Sequence, residues 1–154
     1  IKSAQVYYSL DGYIHVNIQQ REPVLRVLTG EGYYVDRDGR VMPLSSKFTS
    51  RVVVATGDIN KKFACEKLGP FAMKLKNEPF WDAYIEQLVV RSNEDVVMIP
   101  KVGDFRIVLG KVDDCEVRLE KLILFLKDGI TKKGWNRYKE INLKFDNQVV
   151  CVRK

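Results

Sequence analysis

With 154 residues, 45% of them apolar, 30% charged and only 5 proline, the chain can bury one real core, which excludes a disordered or low-complexity protein. No run approaches the ~18 consecutive apolar residues of a membrane-spanning helix. The net charge of +6 sits late, because Lys132, Lys133, Arg137, Lys139, Lys144, Arg153 and Lys154 against Glu140 and Asp146 leave +5 between residues 132 and 154. That placement suits an acidic partner, an anionic surface, or a lysine-rich solvated face that guards a sheet edge.

Asp11-Gly12 predicts a hairpin turn joining a strand at 4–8 to one at 13–21. Ile14, Val16 and Ile18 share one face of the second strand; His15, Asn17 and Gln19 share the other. Pro23 interrupts the ladder, and a strand resumes over 24–28. No helix in this stretch can cover the hairpin. Residues 1–28 therefore read as the end of an upstream unit whose last strand runs into the main sheet, and residues 29–154 as the main domain. A start at Ile1 rather than Met agrees with missing upstream sequence.

Tyr33-Tyr34-Val35, the turn Asp36-Arg37-Asp38-Gly39, and Arg40-Val41-Met42 form a second predicted hairpin. A short strand follows at 52–55. Asp58 or Asn60 caps a helix running to Leu68, with Gly69 as its stop and one more helical turn over 71–76. Pro79 opens a fresh helix. Strands are expected at 85–91, 96–99 and 105–109. Asp113-Asp114 places carboxylates at the start of the longest helix, whose apolar stripe is Leu119, Leu122, Ile123, Leu126 and Ile130, and Gly134 ends it.

The closing stretch alternates Ile141, Leu143 and Phe145 with Asn142, Lys144 and Asp146, then turns at Asp146-Asn147 and returns over 148–152. A two-residue loop would set Leu143 opposite Val150 and Ile141 opposite Val152. These four with Phe145 would then face inward, and Val149 with Cys151 would lie on the other face. The elements add up to an α+β fold, a mainly antiparallel, curved β-sheet packed on a long C-terminal helix.

Chemistry is hard to find. His15 is the single histidine and has no nucleophile or acid beside it in sequence. Asp36 and Asp38 are explained by turn chemistry, and no calcium loop continues from them. Gly30 and Gly103 are turn glycines outside any phosphate-binding pattern. Cys65, Cys115 and Cys151 are isolated, so no zinc site is expected and they read as small apolar side chains. Trp135 and Tyr138 stand among basic residues, but no nucleic-acid recognition block surrounds them. The expectation is a binding module with no catalytic set, metal, cofactor, nucleic acid or small-molecule substrate. The alternative is a cell-envelope enzyme acting on peptidoglycan or its precursors, with Asp36, Asp38, Asp104 and His15 as its candidate groups.

Five segments in order resemble the FtsQ/DivIB family of bacterial cell-division proteins. Val16 to Val24 is similar to the family's acidic-Pro junction between two extracytoplasmic domains. Tyr33 to Val41 is similar to its YxVDxxGxV hairpin. Val53-Val54-Ala55-Thr56-Gly57 occupies its LPxLxG stretch, without the Leu-Pro. Ile107 to Gly110 followed by Leu119-Glu120-Lys121-Leu122 resembles its LG…KL passage. Ile141 to Asp146 resembles its hDLRYD end, with Lys144 for arginine and Phe145 for tyrosine.

The resemblance implies a single-pass inner-membrane protein, anchored by an upstream helix. A POTRA domain and then a β domain would lie on the periplasmic side, and residues 1–28 would be the remnant POTRA hairpin. It implies a non-catalytic divisome scaffold that supports septal peptidoglycan synthesis. Its β domain would bind an FtsB/DivIC-type protein, paired with FtsL, by strand addition on the last strand. The partner-binding residues would be Lys144, Phe145, Asp146, Asn147, Gln148, Val149, Val150, Cys151 and Val152. Lys144 would offer charge, Val149 and Cys151 apolar contact, and a charge or proline at Val150 would block capture.

Overall fold

Among the residues that the computed structural model describes, 1–130 and 134–154, eleven strands sort into two sheets. β1 (Ser3–Tyr8) and β2 (Ile14–Gln19) pair only with each other, with Val6 opposite Val16 and Tyr8 opposite Ile14. Alternation puts Val6, Tyr8, Ile14, Val16 and Ile18 in one row, and all five are exposed.

The other strands are β3 (Pro23–Val27), β4 (Tyr33–Asp36), β5 (Val41–Met42), β6 (Val53–Gly57), β7 (Ile85–Arg91), β8 (Asp95–Pro100), β9 (Arg106–Gly110), β10 (Tyr138–Asn142) and β11 (Val150–Arg153). They form one sheet in the order β11-β10-β9-β8-β7-β6-β3-β4-β5. Within residues 1–28, β3 is thus built into this sheet between β6 and β4, with Val24, Leu25 and Val27 buried.

Five neighbouring pairs are antiparallel. Three are parallel: β3–β6, β6–β7 and β9–β10. The fold is α+β with a mostly antiparallel sheet. Parallel neighbours need long crossovers; helices supply those from β6 to β7 and from β9 to β10, and the β4–β5 hairpin with residues 43–52 supplies the one from β3 to β6. α1 (Lys61–Phe63) passes through a π-helical stretch, Ala64–Leu68, into α2 (Gly69–Asn77), and α3 (Pro79–Tyr84) leads into β7. α4 (Glu116–Phe125), extended by the π-helical Leu126–Ile130, lies in the connection from β9 to β10.

Both helical runs pack on one face of the sheet. Leu25, Val35, Leu88, Met98, Ile107 and Ile141 from the strands form one buried cluster with Phe63, Leu68, Phe71 and Leu75 from the first run and Leu119, Leu122 and Leu126 from the second. The opposite face carries Tyr34, Val97 and Val108, buried outside that cluster. It also carries Gln87 bonded to Thr56 and Arg106 paired with Glu140.

Two helix expectations change. Gly69 does not stop the first helix; its φ of −59° is right-handed helical. A Cβ there would meet Val35 Cγ1 at 3.0 Å and the Ala64 carbonyl at 3.1 Å, so glycine serves close helix–sheet packing. Residues 61–77 are consequently the longer helical run, and α4 is the shorter. α4 also begins after the aspartate pair, because Asp114 has φ +48° and Asp113 reaches across to Lys67 at 2.7 Å. The Ile130 side chain, and Lys132 and Lys133, fall outside the described residues.

The YxVDxxGxV-like turn is a clasp. Asp36 is 3% exposed, and its carboxylate accepts from Arg40 N–H (2.8 Å), Asp38 N–H (3.0 Å) and Arg21 Nε (2.7 Å). Arg21 also donates to the Val41 carbonyl, and Arg37 N–H donates to the Glu22 carbonyl, so the strand entering β3 is fixed to the β4–β5 turn. Burial pushes the Asp36 carboxyl up, but the Arg40 N–H, Arg21 and Asp38 N–H outweigh it and hold the pKa below the usual value. Its stabilisation is therefore complete above the ordinary carboxylate pKa and is lost as pH falls through the depressed value. Asp36→Ala should cost about 3 kcal/mol at neutral pH. The difference from wild type should shrink in denaturant titrations run in strong acid.

Candidate functional site

Among the described residues β11 ends the sheet: β10 lies on one side and no strand lies on the other. Its register with β10 sets Ile141 opposite Cys151, Asn142 opposite Val150 and Glu140 opposite Val152. This is one residue away from the expected pairing. The connection is also longer than two residues, running over 143–149, with the turn at Asp146-Asn147 and Asn147 at φ +55°.

The reason lies at Leu143. It is fully buried and leaves the ladder with β11, its N–H donating instead to the Val108 carbonyl on β9 (2.9 Å). A one-residue slip exchanges the two faces of a strand. Cys151 and Val149 therefore pack against the core, where the sequence put them outward. Val150 and Val152 turn to the helix-free face, and Val152 is 38% exposed. Phe145, expected inside, is 47% exposed. Val149 and Cys151, expected to offer apolar contact to a partner, are half-buried against the core, while Val150 and Val152 lie on the helix-free face.

The direction of the main-chain groups follows from the same bond. Within a strand, the N–H and C=O of one residue point to one flank and those of the next to the other. Leu143 N–H points to β9, so Ile141 also faces β9 while Asn142 and Glu140 face β11. Their partners Val150 and Val152 are thus bonded inward. Lys154 N–H, reaching the Arg137 carbonyl at 3.1 Å, keeps the same phase. Cys151 and Arg153 present their N–H and C=O groups on the outer flank. A proline at Val150 would therefore cut the β10–β11 ladder itself, and the informative position for that test is Cys151.

The surrounding side chains hold this edge in place. Lys144, expected to offer its charge outward, pairs with Asp95 at the start of β8 (3.1 Å). Lys121 of α4 donates to the carbonyls of Phe145 (2.8 Å) and Gln148 (3.4 Å). Asp146, Asn147 and Gln148 are exposed on the turn. Arg137, Lys139 and Arg153 are exposed beside the strand, and Lys154 pairs with Asp104 (3.0 Å). Burial pushes the Cys151 thiol up, which keeps it protonated and apolar. Arg153 and Lys121 were not among the expected site residues. No local pattern marks either, because their roles depend on register and on a contact across the fold.

The four groups named for an enzyme do not converge. Asp36 is consumed by its clasp, and Asp38, on the same turn, pairs with Lys2 (3.0 Å). Asp104 sits near β11, at the other end of the sheet. His15 stacks on Tyr7 in the β1–β2 ribbon, with ring centroids 5.0 Å apart. A concavity of about 610 Å³ between β6, α2 and α3, lined by Leu75, Trp81, Ile85 and Lys101, contains none of the four. Among the described residues, no three or more His, Cys, Asp or Glu side chains are grouped to hold a metal. No described helix is long and apolar enough to cross a membrane.

No curated protein matches the chain. Residues 22–152, from the Arg21–Glu22 junction through β11, match the family described as FtsQ/DivIB, C-terminal related, and the chain therefore belongs to that family of bacterial cell-division proteins.

Proposed function

We propose that this chain is a non-catalytic scaffold of the division machinery. In this reading, the outer flank of β11 captures an extended segment of an FtsB/DivIC-type protein, itself paired with an FtsL-type protein, in support of septal peptidoglycan synthesis. The observation that carries the reading is the unpaired flank of Cys151 and Arg153 at the end of a nine-stranded sheet. An added strand gains main-chain hydrogen bonds there and side-chain contact with Val150 and Val152. Arg137, Lys139 and Arg153 favour an acidic segment, so affinity should fall as salt rises.

Upstream, the β1–β2 ribbon is the closing hairpin of a POTRA domain, whose remainder would cover the exposed row of Val6, Tyr8, Ile14, Val16 and Ile18. A membrane helix ahead of that domain would hold the protein at the cytoplasmic membrane, with the β domain on the extracytoplasmic side.

Amide hydrogen exchange with and without a synthetic FtsB/DivIC-type peptide tests the edge. The Cys151 and Arg153 amides should exchange freely alone and become protected on binding, while Val150 and Val152 are slow in both states. Protection that appears elsewhere, leaving 151 and 153 unchanged, would remove the basis for strand addition.

A further inference from the structure

We propose that Lys121 is the positioning residue of this docking edge: one ammonium group on α4 fastens the connection that delivers β11 to the sheet. The inference rests on the strand-addition reading for its functional meaning, but its geometry stands separately. Lys121 Nζ lies 2.8 Å from the Phe145 carbonyl and 3.4 Å from the Gln148 carbonyl, on either side of the Asp146-Asn147 turn. It thereby ties together two points of the 143–149 connection from a helix 24 and 27 residues earlier in the chain.

The edge needs such a tie. β11 is four residues long and has one neighbour, and short edge segments are the first to open. The turn beneath it includes Asn147 at φ +55°, outside the ordinary strand and helix regions. Val149 and Cys151 anchor the returning strand through half-buried side chains. What remains is the turn's own carbonyl groups, and a charged donor satisfies two of them with stronger bonds than a neutral group would make. Neighbouring features agree: Leu119 and Leu122 are buried on either side of Lys121 in sequence and fix the helix from which it reaches. The lysine of the LG…KL passage thus acquires a role that the passage itself does not reveal. A guest strand needs a rail that is already straight; when β11 frays, part of the binding energy goes into ordering it.

Two readouts test this on the 154-residue chain. The first is amide exchange at Val150 and Val152 without any peptide. The second is affinity for a fluorescent FtsB/DivIC-type peptide by anisotropy. Lys121→Met should speed exchange at Val150 and Val152, leave the amides of Leu88 and Met98 unchanged, and weaken the peptide roughly tenfold. Lys121→Arg should restore both. If Lys121→Met does not fold, Lys121→Gln takes its place with the same expectation. Wild-type exchange at Val150 and Val152 would overturn the proposal, as would faster exchange with unchanged affinity. Cys151→Pro separates the two readings. If that variant captures the peptide normally, strand addition fails, and the exchange readout alone then judges whether Lys121 fastens the edge.

Discussion

Cys151→Pro should lower affinity for an FtsB/DivIC-type peptide at least a hundredfold, roughly 3 kcal/mol, while the domain remains folded. Proline lacks the amide hydrogen, and at position 151 that hydrogen points to the outer flank. The ladder with β10 runs through Val150 and Val152 and keeps its bonds. A guest loses the central donor of the rail and meets a pyrrolidine ring where its own carbonyl should approach. Edge strands tolerate proline with its nitrogen toward solvent, so the fold pays little beyond the half-buried thiol. Circular dichroism and the denaturant midpoint should stay near wild type. A folded variant with undiminished affinity would place the interface elsewhere. Val150→Pro should behave differently, exposing both sides of the β10–β11 ladder and lowering stability.

Gly57→Ala should be the most destabilising single-methyl change in the chain, costing on the order of 4 kcal/mol or more. Gly57 closes β6 at φ +106°, a conformation that side chains resist. An added Cβ would stand 2.1 Å from the Val90 carbonyl oxygen and 3.0 Å from its carbon. That backbone cannot retreat freely. Val90 is paired with Val96 on β8, and its carbonyl accepts the Asp58 N–H at 2.9 Å. Globular domains are stable by only about 5–15 kcal/mol, so the change removes a large share of the margin. Gly30→Ala is the control. Gly30 also has positive φ (+64°), but nothing lies within 4 Å of its Cβ position, so the cost should be about 1 kcal/mol. Urea midpoints of the two variants measure the difference between strain alone and strain with collision.

Local pattern carried most of the strands. The alternation of Ile14, Val16 and Ile18, the Asp36 to Gly39 turn and the runs at 85–91 and 96–99 are all visible without coordinates. The parallel pairings of β3 with β6 and β9 with β10 are not, because they depend on where a long connection, the β4–β5 hairpin in one case and α4 in the other, returns the chain. Gly69 misled for a related reason. Its type signals a helix end, whereas its contact with Val35 is tertiary. At the candidate site, the segment was legible and its facing was not. Val150 and Val152 compete with Val149 and Cys151 for the core, so apolar alternation fits both registers. Only Leu143 turning toward Val108 decides between them. Lys121 was invisible on the same ground: nothing near it in sequence tells where its ammonium goes.

The strand order also fixes a distance. From β3, where the chain enters the sheet, to β11 there are six interstrand steps, roughly 29 Å at about 4.8 Å each. In the proposed role, tension between a membrane-anchored upstream end and a captured guest would cross the sheet sideways and unzip ladders in series. The four residues of β11 form its outermost rung. Under load that rung would give way before the body of the sheet, so the attachment would work as a mechanical fuse, releasing its cargo while the scaffold survives intact.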